Sequence, residues 1–478
     1  MFRFTMEGMP DAYYDRLSAL DTTFLEIEDP NTHMHIGSVG IYDASPLCRP
    51  DGGLDFERIE TFVEGQMHRV PRFRQKLARV PRLEHPVWVD DDGFNIHYHL
   101  RHTALPLPGS VRQLKRLAGR ILSQQLDRGK PLWESWFVEG VEGGCFALIN
   151  KIHHCMADGI SGTDLATAIL GQSPNHEPEP GPSWMPRPAP SHNRMLVDEV
   201  GRRVAIPLGA ARAGLRAVLE PSRALRSLSE TARGLSEVAI AGLGRAPATP
   251  LNEPIGAHRR FDWIRTDLER TKATGKRMGA KVNDVILAVL AGAVRELLAQ
   301  RRIEPNDLDF RVLVPVSVRS EADGDTPGNR VSSIIMSLPL GERDPARRLL
   351  RIAEITRERK TSGQSAGVET LSGVMELSDT LTHWLARIAS HSPAVNLIVT
   401  NVPGPQIPLY LLGAQLIDAY PVVPLAANQA LGVAILSYNG SLHWGFNADW
   451  DRVHDLHDFA VAIGSNFDAL VKAVEDRA

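Results

Sequence analysis

Cysteine is scarce in this chain. Its 478 residues include three, Cys48, Cys145 and Cys155, with no CxxC or CxxxH spacing among them. A set so sparse and odd in number argues against a disulfide framework and a structural zinc site, and it suits a reducing compartment. Long apolar runs are also missing. The longest, VILAVLAGAV from Val285 to Val294, falls well short of the ~20 residues that a membrane-spanning helix needs. The opening MFRFTMEGMPDAYYDRL lacks the basic-then-apolar pattern of a secretory signal. The expectation is a protein that is soluble or at most lies on a membrane. Nor is there an excess of positive charge. The formal net charge is -4 and the isoelectric point about 6.5, so nothing in the overall field recommends a nucleic-acid partner. What the chain does have is 43% hydrophobic residues at a length where single cores usually split, and two domains are expected.

From Leu17 to about Gly171 strand-like and helix-like patterns alternate. SWFVEG and CFALINKIHH are short β-type runs separated by VEGG, a turn signal, and they read as a hairpin whose second strand ends at His153 and His154. A helix is expected next, with Ser161 as N-cap, Asp164 at N3, and Ile160 and Leu165 placed as a hydrophobic staple. Prolines at 174, 178, 180, 182, 186, 188 and 190 then forbid regular structure. Residues 193–245 are rich in alanine, leucine and arginine, either an ordinary solvated helical face or a basic amphipathic surface for anionic lipid. Further on, apolar residues at 285, 286, 289, 290, 293, 294 and 297 form a helical stripe with Asn283 or Asp284 at its start. Three β-type runs follow, FRVLVPVSV, VSSIIMSLPL and AVNLIVTNVPGP, and then a hairpin with an Asn-Gly turn at Asn439 and Gly440. The expected division is an N-terminal domain at 1–172, a Pro-rich linker and Arg-rich helical crossover at 173–260, and a C-terminal domain at 261–478.

The segment INKIHHCMADGISGTDL, Ile149 to Leu165, carries the densest chemistry. A buried imidazole is costly unless its polar atoms are satisfied. As a metal site, His154 and Asp158 would both ligate if helical, but no third ligand stands at a known spacing. As a nucleophile, Cys155 is adjacent to His154, yet sequence neighbours on a strand point to opposite faces. As a satisfied core group, His153 is the better candidate, being on the face opposite His154. The remaining reading is a general base. An imidazole that is near-neutral at working pH takes a proton from a hydroxyl and later returns it to a leaving group. Asp158 would then fix the loop or the ring, and Gly159 lets the backbone turn sharply.

HHCMADG resembles the HHxxxDG motif of the bacterial wax ester synthase/diacylglycerol acyltransferase family, within the CoA-dependent acyltransferase superfamily. LSALDTTFLEIE and THMHIGSVGIYD look like that family's opening helix and strand. The PLW element at Pro131, Leu132 and Trp133, NDVILA at Asn283 and Asp284, PVSVR with GNR, and NVPGP at Asn401, Pro403 and Gly404 follow in the family's order, as do PLYLLGAQL and SYNGSLHWGFNAD. The resemblance covers nearly the whole chain.

It implies an α/β (α+β) fold of two chloramphenicol-acetyltransferase-like domains with mixed sheets and an active-site tunnel between them. His154 would deprotonate an acceptor hydroxyl for direct attack on an acyl-CoA thioester, with no acyl-enzyme and no cofactor, acyl-CoA being a substrate. Asp158 would orient, His153 support and Gly159 turn the chain. Pro131, Leu132, Trp133, Asn283, Asp284, Asn401, Pro403 and Gly404 would contact substrate. For Asn283 and Asp284 helix capping stands as the alternative, for Asn401 to Gly404 a plain turn, and for Trp133 the core. Developing oxyanion charge needs a donor, either backbone N–H groups or an Asn or Ser side chain. The implied acceptor is diacylglycerol or a long-chain fatty alcohol, and the implied setting is cytoplasmic, peripheral on the inner membrane face or lipid droplets. A condensation-like or polyketide-associated acyltransferase using a carrier protein, and a non-catalytic lipid-binding protein, are the competing expectations.

Overall fold

The computed structural model describes residues 13–80, 85–159, 169–175, 179–201, 246–317, 331–361 and 394–477. Among the described residues the strands pair into two six-stranded sheets and a small third one. The first large sheet has the order β12 (Tyr410–Leu411), β13 (Ala414–Val422), β2 (His35–Asp43), β7 (Cys145–His153), β6 (Trp133–Val141) and β5 (Leu100–Ala104). The second runs β10 (Val331–Ser337), β9 (Arg311–Ser317), β11 (Leu397–Pro403), β14 (Leu431–Tyr438), β15 (Ser441–Asp449) and β8 (Arg259–Asp267). The third joins β1 (Asp15–Arg16), β4 (Pro86–Asp90) and β3 (Gln75–Arg79). Parallel pairs (β5 with β6, β11 with β9 and β14) stand among antiparallel ones, so both large sheets are mixed. The C-terminal half lends strands to the first sheet. β13, from the C-terminal half, pairs with β2 from Leu416 opposite Tyr42 to Val422 opposite Gly37.

The hairpin of β6 and β7 forms where VEGG predicts it, with Gly143 and Gly144 in the left-handed region at φ 81° and 71°. The Asn439-Gly440 turn between β14 and β15 has φ 44° and 80°, the positive pair that a two-residue hairpin loop requires. The helices that matter for packing are α1 (Ala19–Ile27), α2 (Phe56–Gln66), α3 (Val111–Leu122), α4 (Leu268–Arg277), α5 (Val282–Gln300), α6 (Pro345–Thr361) and α7 (Leu456–Glu475). Helix α3 sits between the two sheets. Its Leu114, Ala118 and Ile121 pack with Val39 and Ile149 of the first and Phe261 and Trp263 of the second. Among the described residues no helix is long and apolar enough to cross a membrane.

Helix α5 departs from its expected stripe in two ways. It is buried on every side from Asp284 to Val294, because small residues on the second face, Ala288, Ala291 and Gly292, admit α6 and α7. A Cβ on Gly292 would come within 1.9 Å of Asn466 Oδ1 on α7. Its start also lies one turn earlier in role: Lys281 is the N-cap, and Asp284, at N3, accepts the Lys281 amide at 2.8 Å. Asn283 does not cap.

The Pro-rich stretch is irregular but docked. Gly181 N donates to Gly65 O of α2, Trp184 meets Phe94 edge-on and lies under the Arg74 guanidinium, and Met195, on the helical segment that follows, completes a small core with Val80, Val87 and Val89. Arg187 forms two side-chain bonds to Asp90, at 2.8 and 2.9 Å, while its guanidinium lies 3.5 Å from the Tyr13 ring centre. Burial alone would raise the Asp90 carboxyl, and the Arg187 bonds instead bring it down to about 2. The segment that follows, 202–245, with most of the arginine-rich stretch, lies outside the described residues.

Arg187→Ala leaves the Asp90 carboxylate, 4% exposed, without its cation. Because Arg187 itself is 42% exposed, the expected loss is about 1–3 kcal/mol rather than that of a fully buried pair. Urea titration measures it, limited proteolysis should cut first within 179–201, and adding Asp90→Asn should restore part of the loss.

Candidate functional site

Strand β7, between β2 and β6, carries the double histidine to its C-terminal end, where the turn that follows packs on α1. His153 is its last residue, opposite His35 of β2, and the His153 amide donates to Leu132 O at 2.9 Å. The next amide, of His154, turns the other way and donates to Met34 O at 2.7 Å. The chain then enters a 3-10 turn from His154 to Gly159. The two imidazoles meet different residues of α1, His153 facing Glu28 and His154 stacking on Phe24.

His154 is half-buried, and Phe24 of α1 stacks on it with ring centres 3.8 Å apart and planes inclined by 26°. His153 is 1% exposed. Its Nδ1 accepts the Cys155 amide at 3.2 Å and lies 2.9 Å from the Cys155 Sγ. A ring nitrogen that accepts an N–H carries no proton, so the His153 proton resides on Nε2. That nitrogen faces Glu28 Oε2 at 3.5 Å.

Glu28 closes α1, and its side chain is 4% exposed. Arg128 donates to it from Nη2 and Nε at 2.8 and 3.1 Å, Met34 N donates at 3.3 Å, and His35 Nε2 lies 3.6 Å away. Burial would raise this carboxyl, but the contact with His153 and the hydrogen bonds from Arg128 outweigh burial and hold it at about 2. Four stretches of sequence thus meet at one carboxylate: FLEIE, THMHIG, LDRGKPLW and KIHH.

Lys151, two residues before His153, is fully buried. Its Nζ donates to Gln124 O at 2.9 Å and Ile121 O at 3.3 Å, at the C-terminal end of α3, where a cation suits the helix dipole. Glu134 Oε2 lies 3.5 Å from it. Burial, and then the Lys151 charge, push His35 well below its usual range and keep it neutral. Burial likewise pushes the Cys155 thiol well up. A protonated thiol, 2% exposed, is a poor nucleophile. Among the described residues no three His, Cys, Asp or Glu groups converge to hold a metal.

The PLW residues lie beneath this site. Leu132 supplies the carbonyl that takes the His153 amide; Trp133 is 2% exposed, donates its indole N–H to Phe73 O at 2.8 Å and stacks on His99. Pro131 is buried beside them. In the second sheet, Asn401 at the end of β11 donates through Nδ2 to Asn283 Oδ1 at 2.5 Å, which ties the NDVILA and NVPGP segments together. Gly404 N donates to Ser437 O at 2.9 Å, and a Cβ there would meet that oxygen at 2.5 Å, so the turn requires glycine. Pro403 beside it is exposed. The Asp158 side chain, and the helix start expected at Ser161 with Ile160, Asp164 and Leu165, lie outside the described residues.

Residues 17–286 match the model of the wax ester synthase/diacylglycerol acyltransferase catalytic domain, and residues 327–471 match the C-terminal domain of the same family. The chain belongs to this family. It is 33% identical over 476 residues to a putative diacylglycerol O-acyltransferase, MT1809, of Mycobacterium tuberculosis, covering 98% of this chain and 92% of that one. To the probable diacylglycerol O-acyltransferase tgs1 of the same species it is 32% identical over 456 residues, 94% of each. The wax ester synthase/diacylglycerol acyltransferase of Marinobacter aquaeolei VT8 superposes with a TM-score of 0.67 at 26% identity, over 96% of this chain and 100% of that one. The first condensation domain of the CDA synthetase, at TM-score 0.54 and 16% identity over 97% of each chain, shares the fold alone. The expected mixed α/β architecture of two sheet-rich units is what both superpositions show.

Phe24, Glu28, Arg128 and Lys151 escaped the motif reading, although all but Lys151 lie in or beside stretches that carried the family resemblance. The available signal was a glutamate closing an apolar helix, followed by alternating His33 and His35.

Two outcomes follow from these electrostatics. Glu28 is depressed to about 2 from an ordinary 4.5, so its contribution, on the order of 3 kcal/mol, is present above pH 4.5 and is lost as pH falls toward 2. The stability gap between wild type and Glu28→Gln should therefore narrow across that window in urea titrations at stepped pH. Iodoacetamide at pH 8 should label exposed Cys48 in the folded protein and leave Cys155 untouched until the chain is denatured; early labelling of Cys155 would revive the nucleophile reading.

Proposed function

We propose that this chain is an acyl-CoA-dependent O-acyltransferase that esterifies diacylglycerol, a long-chain fatty alcohol, or both. The family supplies the reaction class. The observation that carries the residue assignment is the contrast within the HHC segment: His153 is buried with its Nδ1 taken by the Cys155 amide, Cys155 is a buried protonated thiol, and His154 is half-buried with its ring stacked on Phe24.

His154 takes the proton from the acceptor hydroxyl as the oxygen attacks the thioester carbonyl. The tetrahedral adduct collapses by breaking the C–S bond, CoA leaves as thiolate, and the imidazolium returns the proton to that sulfur. The acyl group passes directly to the acceptor oxygen. Asp158 orients the turn, Gly159 lets it bend, and His153 supports the strand end. Asn283 and Asn401, bonded to each other, are the polar pair assigned to substrate contact on the opposite sheet, with Asp284, Pro403 and Gly404 shaping their segments. Pro131, Leu132 and Trp133 serve the substrate site from below, by holding β7, since the core encloses them. In this reading residues 1–172 and 261–478 are the two acyltransferase-like units, 173–260 crosses between them, and the substrates meet in a tunnel at their junction. Acceptors this insoluble place the enzyme at a membrane face or lipid droplet.

The test is release of CoA from palmitoyl-CoA with diolein or hexadecanol, the lipid products resolved, for wild type and His154→Ala. Ester formation by wild type and a loss of at least ~10²-fold in a folded variant are expected. A variant as active as wild type removes His154 from the chemistry.

A further inference from the structure

Both peptide N–H groups that flank the His154 side chain are held. Its own amide donates to Met34 O at 2.7 Å, and the Cys155 amide donates to His153 Nδ1 at 3.2 Å. Both restraints lead to one carboxylate, because Glu28 accepts Met34 N at 3.3 Å and faces His153 Nε2 at 3.5 Å. The ring itself is covered on one face by Phe24 at 3.8 Å. Phe24 and Glu28 stand four residues apart, one turn along α1, so they project from the same face of the helix. Ser18 anchors that helix, accepting the Asp21 amide at 3.1 Å.

We propose that α1 positions the base: Phe24 fixes the plane of the His154 ring and Glu28, through His153 and Met34, fixes the backbone that carries it. This rests on the reading of His154 as the base. The glutamate proton balance supports it. An anionic Glu28 favours the His153 Nε2–H, and that tautomer leaves Nδ1 free to accept the Cys155 amide. The aromatic face removes rotamers from His154, so Nε2 or Nδ1 approaches the acceptor hydroxyl along a fixed line. Neither Phe24 nor Glu28 moves a proton in the reaction. Both are positioning residues, and their loss should fall on the chemical step rather than on substrate affinity.

The experiment compares Phe24→Leu, Phe24→Tyr, Glu28→Gln and His154→Ala with wild type in single-turnover transfer from palmitoyl-CoA to diolein, alongside steady-state KM values. Circular dichroism and thermal unfolding establish that each is folded. Phe24→Leu keeps the apolar bulk and loses the aromatic face. It should slow the chemical step ~10- to 100-fold with KM within ~3-fold, and Phe24→Tyr should restore the rate to within ~3-fold of wild type. Glu28→Gln should show the same split between rate and KM. Wild-type rates in folded Phe24→Leu and Glu28→Gln, beside an inactive His154→Ala, would overturn the positioning role and leave the base intact. So would losses confined to KM, or a Phe24→Tyr no better than Phe24→Leu. A fully active His154→Ala would overturn both. If Glu28→Gln does not fold, the Phe24 pair decides.

Discussion

The Glu28 carboxylate is buried against two histidines, an arginine and a backbone amide, and the rest of the site is arranged around keeping that charge tolerable. An ionised carboxylate inside a protein is stable only if its lone pairs are used and a cation stands close. Arg128 provides the cation and Met34 N a donor, and His153 Nε2 lies 3.5 Å away. Each partner comes from a different element, so satisfying the charge also brings the ends of α1, β2 and β7 into one register. The immediate consequence is the strand end at which the two histidines separate into a buried brace and a half-buried ring.

Charges nearby extend the same logic. Lys151 is spared the full cost of burial by the last carbonyls of α3, and its field helps keep His35 neutral. Arg259 of β8 reaches back to Asn31 O in the loop after α1 while bonding Gly256 O and lying 3.9 Å from Asp449. Burial lowers this guanidinium to about 10 from its ordinary range. The second sheet thereby holds the loop that leads from Glu28 to His33 and His35. The pairing of β13 with β2 likewise ties the C-terminal half to the first sheet.

Local signals in the sequence proved readable wherever the physics was local. VEGG and Asn439-Gly440 specified their hairpins through positive φ, and the β-type run CFALINKIHH ended at His153. The apolar pattern of 285–297 located α5, although its small residues concealed a second buried face, and the cap fell to Lys281 and Asp284 instead of Asn283. What escaped was long-range pairing. Arg128 meets Glu28 across 100 residues, and Asn401 meets Asn283 across 118. No local pattern encodes such a meeting. The core reading of Trp133 was open from the start, but nothing in PLW shows that the indole bonds Phe73 O or that the Leu132 carbonyl takes the His153 amide.

The central claim is that Glu28, beside Nε2, orients His153 so that its Nδ1 accepts the Cys155 amide and grips the backbone beside His154. Nitrogen-15 chemical shifts of the histidine side chains, in uniformly 15N-histidine-labelled protein at pH 7 with His153 assigned by substitution, report this directly. The account predicts a proton on His153 Nε2 and an unprotonated Nδ1, collapsing toward tautomer exchange in Glu28→Gln. An imidazolium at His153, or a proton on Nδ1, would contradict it.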